Sequence, residues 1–487
     1  MTLYPMLLTL FTMGCIKGSG TTDSGRSTDS AAQEAGPSVA PDRGGNIIVL
    51  FMDDVGLDKI AAYGAHPSPA YTPVMDRLVE EGMLFMNAYS NPTCSPSRSA
   101  LLTGRHGSRT GIGRWLYAPN SPFDLEEHEH TIAEYLRDGP HSYQSAVAGK
   151  WHLGSFLRDE PGRHPLLQGF ERHAGSMSNP REAVTSGPMP RTYTNWEKNS
   201  SGSLEWVETY MTTDAVDEAI DAMESLSPPW FVYVPFNAPH EPVHHPPAHL
   251  LSEPLADDAS EIEQFEAMIE AMDTEMGRLL ENIPEDQRDR TTVFVIGDNG
   301  TPSFGIEAPW PTTRSKGSVW ESGVHVPMIA WGEHVLEPGS RTNTLVHLVD
   351  VFATMADIGE ANLDDAVFTE GPWVGEPVTI DGESFLSVMH GEEPETWKTF
   401  LYTEGFYPNG APPYDYHKRM VRDGEWKFYR NWNGEGYTEG LYRYTEEFWT
   451  EGETNLLLDP LDAEAETAHS RLLAEMERWE NEVTYGP

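Results

Sequence analysis

The sequence predicts an α/β fold: a large doubly wound sheet, mixed or parallel, sandwiched by helices and followed by a smaller C-terminal antiparallel sheet with a closing helix. Two patterns predict the large sheet. The runs NIIVLF (46–51), SAVAG (145–149), WFVYVPF (230–236) and TTVFVIG (291–297) are apolar almost throughout, as strands covered on both faces must be. Segments of helical periodicity separate them, and strand alternating with helix gives a parallel sheet whose ligand site lies beyond the carboxyl ends of its strands. A third pattern predicts the small sheet: in RMVRDGEWKFYRNW, Asp423-Gly424 sits between β-prone runs as a hairpin turn.

In chain order, residues 1–15 carry an apolar run too short to span a bilayer and read as an export signal. Thr12-Met13-Gly14-Cys15 resembles a bacterial lipobox, whose Cys takes a lipid anchor. Thr12 replaces the usual aliphatic residue and the n-region lacks Lys and Arg, so a plain signal peptide cut elsewhere is the other reading. Residues 16–45 are rich in Gly, Ser, Thr, Ala and Asp, contain no aromatic residue, and are expected to form a disordered tether. Both readings place the protein outside the cytoplasm, in the bacterial cell envelope, lipid-anchored or periplasmic or extracellular.

From residue 46 the folded body begins. Thr72-Pro73 gives an N-cap and a Pro at the first helical position, Val74 and Leu78 share a face, and Gly82 stops that helix. Phe265, Ile269, Met272, Met276 and Leu279 recur at helical spacing, a stripe that reads as core packing. Leu472, Met476 and Trp479 make one apolar face on the closing helix. A catalytic domain is expected over residues 46–390 and an α+β subdomain over 391–487, and no internal repeat is visible.

The 487 residues hold 32 Lys and Arg against 77 Asp and Glu, a net charge of −45, which argues against nucleic acid and anionic lipid headgroups as partners. Two cysteines cannot make a disulfide framework.

The polar groups that end the four apolar runs point to a site. Asp53 and Asp54 follow the first, Lys150 and His152 the second, His240 the third, and Asp298 and Asn299 the fourth. Asp53, Asp54, Asp298 and Asn299 are hard oxygen donors, which suits Ca²⁺ or Mg²⁺ rather than zinc. Asp and Asn at strand ends often only make turns; carboxylates that converge without a cation would repel one another. In Cys94-Ser95-Pro96-Ser97-Arg98, Ser95 can cap a helix, Pro96 suits its first turn and Gly104 can end it, so Cys94 sits at a helix N-terminus, where anions are favoured. A buried structural Cys is the plainer reading of that residue alone.

The segment C-x-P-x-R, Cys94 to Arg98, followed by Thr103-Gly104-Arg105, resembles the signature of the type I sulfatases of the alkaline phosphatase superfamily. The likeness continues through MDDVGLDKIAAYG (52–64), AGKWHLG (148–154), NAPHEP (237–242), GDNG (297–300) and KGSVWESGVHVPMI (316–329), and more weakly through VDVFATM (349–355), DGESF (381–385) and the Arg422-Asp423-Gly424 hairpin. It implies an alkaline phosphatase-like fold and hydrolysis of sulfate monoesters of carbohydrates or aryl alcohols, releasing inorganic sulfate. It also implies that Cys94 is oxidised to formylglycine by a maturation enzyme and that one Ca²⁺ is held by Asp53, Asp54, Asp298, Asn299 and residue 94. By the same resemblance, Arg98 orients the formylglycine, while Lys150 and Lys316 bind the sulfate and the leaving-group side. His240 with Lys316 helps to protonate the leaving oxygen. His152 takes the proton that lets the aldehyde return. His325 stands where family members often have Arg, which makes any ion pair there pH dependent.

Two other readings stay open: a phosphonate or phosphate ester hydrolase of the same superfamily, and a non-catalytic glycan-binding protein. The aromatic segment from Phe406 to Trp449 reads either as a sugar-stacking wall or as packing of the small sheet. His244 and His245 read as solvated loop residues, and with Cys15 and Cys94 each assigned a task no disulfide is expected.

Overall fold

The computed structural model describes residues 44–486 except 309, 365, 393–396, 446–449 and 452–453. The export signal, Cys15, nearly all of the tether and Trp449 lie outside the described residues. The first sheet has ten strands: β1 (Asn46–Met52), β2 (Met83–Tyr89), β3 (Gln144–Ala148), β4 (Arg172–Gly175), β5 (Trp196–Ser200), β6 (Ser203–Val207), β7 (Trp230–Pro235), β8 (Thr291–Gly297), β9 (Met328–Gly332) and β10 (Ser340–His347). Their spatial order is β10-β2-β9-β8-β1-β7-β3-β4-β5-β6. The four apolar runs are β1, β3, β7 and β8, adjacent and mutually parallel at the centre, as expected for strands buried on both faces. β9 runs antiparallel between β8 and β2, which makes the sheet mixed.

The two faces of β1 show why the sheet needs two layers. Ile48, Leu50 and Met52 point into one core with Ala215, Ala219, Met268 and Met272 from the helices Met211–Ser225 and Glu261–Glu281. Ile47, Val49 and Phe51 point into the other with Leu101 and Phe352. The methionine stripe at Met272 and Met276 is fully buried core, as its spacing predicts.

Helix α1 (Pro73–Glu81) has Pro at its start and ends at Gly82, but its cap differs from the sequence reading. The Thr72 hydroxyl finds no partner, and Asp273 accepts from the backbone N–H of Val74 at 2.8 Å and of Met75 at 2.9 Å. Helix α2 (Cys94–Thr103) ends at Gly104 in the left-handed region, φ +68°. Ser95 does not cap it: its Oγ donates to the His152 carbonyl at 2.9 Å and accepts from Leu116 N at 3.0 Å, which ties two loops of the site together.

A five-stranded antiparallel sheet follows: β11 (Leu401–Tyr407), β12 (Tyr416–Arg422), β13 (Trp426–Trp432), β14 (Tyr437–Thr445) and β15 (Thr450–Glu451). Asp423 forms the predicted hairpin turn between β12 and β13. One face of this sheet packs Val421, Phe428 and Leu441 against Ala468, Leu472 and Met476 of the helix Ala463–Glu482. Its other face sets Leu401, Met420, Tyr429 and Tyr442 against Tyr89, Val319 and Val324 of the main body. Among the described residues no helix is long and apolar enough to cross a membrane.

Candidate active site

The carboxyl ends of β1, β3, β7 and β8 bring Asp53, Asp54, Lys150, His152, His240, Asp298 and Asn299 together, and Cys94 and Arg98 of α2 and the loop residue Lys316 meet them there. Asp53 and Asp54 follow β1 directly, and Asp298 N donates to the Met52 carbonyl at 2.9 Å, so two strand ends are joined there. Lys150 N donates to the Pro235 carbonyl at 2.7 Å, which registers the loop after β3 on β7. Asp54 (φ +72°) and His152 (φ +58°) adopt left-handed backbone that costs about 1–3 kcal/mol each and is characteristic of functional sites.

Cys94 is the first residue of α2 and 2% exposed, so its backbone stands at the positive end of the helix. Its thiol donates to Asp53 Oδ1 at 3.3 Å, and Lys316 Nζ lies 3.6 Å from Sγ. Burial, reinforced by Asp53, pushes the thiol far above its ordinary pKa. An unmodified Cys94 is therefore a neutral hydrogen-bond donor, a poor nucleophile.

Three cations face three carboxylates. Lys150 Nζ bonds Asp53 Oδ2, and Lys316 Nζ bonds Asp54 Oδ1. Arg98 Nη2 lies 3.1 Å from Asp298 Oδ2 and 3.7 Å from Asp53 Oδ2, and its Nη1 donates to the Lys150 carbonyl at 2.9 Å. Burial alone would raise the Asp53 pKa, but Lys150, His240, Arg98 and Lys316 hold it well below the usual carboxylate range. Asp298 goes the other way: burial and the Asp53 charge raise it.

A hard cation fits this arrangement. Asn299 Nδ2 donates to Asp54 Oδ1 at 2.9 Å, and its Oδ1 is buried with no partner, an oxygen waiting for a donor or a metal. Ligand atoms of Asp53, Asp54, Cys94 and His240 all lie within 4.8 Å of one another. The oxygen donors expected from sequence thus acquire an imidazole at their edge, while Asp298 is engaged by the Asp54 N–H at 3.0 Å and by Arg98.

The two histidines differ in tautomer because a carbonyl can only accept. His152 Nε2 donates to the Leu116 carbonyl at 3.0 Å, which leaves a buried Nδ1 without a partner. His240 Nδ1 donates to the Glu241 carbonyl at 2.9 Å, which leaves Nε2. Burial lowers both pKa values, helped at His152 by Lys150 and Arg98 and at His240 by Lys316. Both open on a cavity of about 400 Å³ lined also by Asp54, Cys94, Lys316 and Trp115. Sequence reasoning missed Trp115, Asn179 and Phe304 in that lining, because loop residues carry no periodic signal.

His325 is not in the cavity. It stacks on Tyr89 with ring centroids 4.6 Å apart, and its Nδ1 lies 2.8 Å from Glu321, so the residue that departs from the family pattern serves the contact between the two sheets. His244 is likewise structural, 2.9 Å from the Pro242 carbonyl and 3.2 Å from the Tyr210 hydroxyl.

Residues 45–361 match the sulfatase family. N-acetylgalactosamine-6-sulfatase of the dog (Canis lupus familiaris) is 31% identical over 386 residues, which cover 73% of this chain and 68% of that protein. The human protein of the same name is 32% identical over 335 residues, 63% of this chain and 61% of its own length. This chain thus spans between about three fifths and two thirds of those relatives. Among solved structures, the putative sulfatase yidJ from Bacteroides fragilis superposes with a TM-score of 0.69 at 17% identity, covering 93% of this chain and 98% of the other. The structure of BT4656 in complex with its substrate D-glucosamine-2-N,6-O-disulfate gives 0.65 at 18% identity, covering 91% and 98%. At those identities the solved structures show a shared fold.

Proposed function

The chain belongs to the sulfatase family, the sulfuric ester hydrolases, and from that premise we propose that it hydrolyses sulfate monoesters of carbohydrates or aryl alcohols, using a formylglycine made from Cys94 and one Ca²⁺. The observation that carries this reading is the placement of Cys94 within hydrogen-bonding reach of both Asp53 and Lys316, in a cavity that His152 and His240 also line. Asp53, Asp54, Asp298, Asn299 and residue 94 would hold Ca²⁺, which would supply positive charge against the sulfate and favour loss of a proton from a hydroxyl of residue 94.

The remaining work falls to the chain's own side chains. Lys150 and Lys316 neutralise the ester's charge, and Arg98, held by Asp298 and the Lys150 carbonyl, orients the formylglycine. Lys316 stays charged despite burial because Asp54 and its neighbours raise its pKa. His240 is neutral in the resting site; the negative ester beside it raises its proton affinity and suits it to deliver a proton to the leaving oxygen, with Lys316. His152 keeps an unpaired Nδ1 in the same cavity, ready to accept the proton of the second hydroxyl of residue 94. Because Cys94 is buried in the folded chain, the maturation enzyme acts before folding is complete.

The relatives' name makes N-acetylgalactosamine 6-sulfate the first sugar to assay. Export to the cell envelope, with Cys15 lipidated, is part of the same proposal. Mass spectrometry of the tryptic peptide Leu78–Arg98 tests the nucleophile: formylglycine loses the sulfur and two hydrogens of Cys94 and gains one oxygen. A fully active preparation in which Cys94 is still a thiol sinks the formylglycine mechanism. Release of phosphate from phosphate esters, or of the free phosphonate from phosphonate esters, with no release of inorganic sulfate, would move the chain to the other branch of the superfamily.

A further inference from the structure

The lining of the active-site cavity continues outward. Trp115 lines both that cavity and a second one of about 440 Å³, whose walls include Tyr117, Phe123 and Tyr407. Of the seven aromatic side chains that stand exposed among the described residues, these four gather here, with exposures from 36% to 54%. Exposed aromatics collected in one concavity, rather than scattered, mark a binding surface.

Cations thread through the aromatics. The Arg114 guanidinium carbon lies 3.5 Å from the Trp115 ring centroid and 5.2 Å from that of Tyr407. Tyr407 stacks on Tyr416, and Lys418 Nζ lies 5.4 Å from the Tyr416 ring while donating to the Gly317 carbonyl at 2.8 Å. Gly317 lines the active-site cavity, so the series runs from one cavity to the other.

Among the described residues neither Arg114 nor Lys418 forms a salt bridge, in a chain with 77 acidic residues to 32 basic ones. Arg114 Nε is buried with no hydrogen-bond partner. Burial and the nearby Arg114 lower the Lys418 pKa, so the two cations feel each other uncompensated. The platform is held in place: Asn409 Oδ1 accepts from Gly113 N at 3.0 Å and Arg114 N at 2.9 Å, and Asn409 Nδ2 donates to the Arg114 carbonyl at 3.3 Å.

We propose that this second cavity is a subsite for the neighbouring sugar of an anionic oligosaccharide, whose ring stacks on the exposed aromatics while its own negative group pairs with Arg114 and Lys418. The aromatic faces suit the apolar C–H face of a sugar, and Arg presents a planar donor fork to a carboxylate or a sulfate. The proposal rests on the sulfatase reading and deepens it: the substrate is an oligosaccharide charged on adjacent sugars, not an isolated aryl sulfate.

Calorimetry on the full chain, calcium-loaded and carrying Cys94→Ala to prevent turnover, tests it. The probes are tetrasaccharides of chondroitin 6-sulfate, chondroitin 4-sulfate and heparin, each against its sulfated monosaccharide. At least one tetrasaccharide should bind tenfold or more tightly than its monosaccharide, and Arg114→Gln and Tyr407→Ala, with unchanged melting temperatures, should each reduce that ratio fivefold or more. Reducing the uronate carboxyls separates the sources of charge: loss of the ratio assigns the contact to a uronate, retention to a second sulfate. Absence of any length effect, or variants that keep the full ratio, overturns the subsite. Sulfate release from each tetrasaccharide, each monosaccharide and 4-nitrophenyl sulfate by the matured chain is measured separately. Release without a length effect overturns the subsite alone, whereas a length effect that Arg114→Gln abolishes, without sulfate release from any probe, overturns the sulfatase reading and keeps the subsite.

Discussion

Burial sets the chemistry of single side chains in this protein. The Cys94 thiol is held neutral, and Lys316 stays charged beside it because Asp54 and its neighbours together outweigh the desolvation of the ammonium. Lys316→Ala should therefore reduce kcat/KM for 4-nitrophenyl sulfate by about 10²–10³-fold, the usual effect of losing one preorganised charge stabiliser, while calcium binding measured by calorimetry is retained. Glu404 shows the same balance away from the site. Burial alone would raise its pKa, but His417 at 2.6 Å and Ser108 hold it down to about 2, against an ordinary 4.5. A depressed carboxyl pKa stabilises the fold fully above about 4.5, and that contribution disappears as the pH falls from about 4.5 to about 2. It amounts to roughly 3 kcal/mol for a shift of this size. Urea midpoints at pH 5 and pH 3 should differ by less in Glu404→Gln than in the parent chain.

At the scale of the element, the ends of helices decide where the functional groups stand. Helix α1 is capped by Asp273, which lies 199 residues further along the chain at Val74 and belongs to the helix Glu261–Glu281. Asp273→Ala should cost about 1–2 kcal/mol, read as a lowered denaturation midpoint, and Thr72→Ala much less. Helix α2 ends at Gly104, where a Cβ would meet Phe352 at 2.4 Å and φ is +68°. Gly104→Ala should destabilise by more than about 1 kcal/mol, and because the same helix presents Cys94, kcat should fall with it. The Gly104 stop is visible from local sequence, since a residue that ends a helix in the left-handed region is nearly always Gly. The Asp273 cap is not, because its partner arrives only through packing.

Across the whole molecule, Glu321 binds the two sheets together. It lies in the main body and is reached by Lys427 of β13, by Arg422 of β12 at 3.8 Å, by His325 at 2.8 Å and by the Tyr89 hydroxyl at 2.6 Å. Those partners overcome burial and keep its carboxyl ionised far below the usual range. Removing one member of such a buried pair typically costs about 3–5 kcal/mol, so Lys427→Met should lower the denaturation midpoint and expose β11–β14 to limited proteolysis. Chelation gives a second test at this scale. On the proposed calcium site, EGTA should abolish turnover and lower the melting temperature, and added Ca²⁺ should restore both, because a bound ion stabilises the folded state that holds it.

The sequence by itself determined the central strands, the methionine stripe, the hairpin at Asp423 and the gathering of polar groups beyond the carboxyl ends of β1, β3, β7 and β8. Those features depend on local patterning: short apolar runs rich in β-branched and aromatic residues suit interior strands, and the groups that follow adjacent parallel strands lie side by side. Only the tertiary structure decided that Asp273 caps α1, that Ser95 clamps the His152 loop, that His240 joins the carboxylates, and that Trp115 and Tyr407 share one concavity. Each of those contacts joins residues far apart in the chain, from helices, strand ends and loops alike. A loop side chain's partners are set by where the packed elements bring it, which no local pattern of residues encodes.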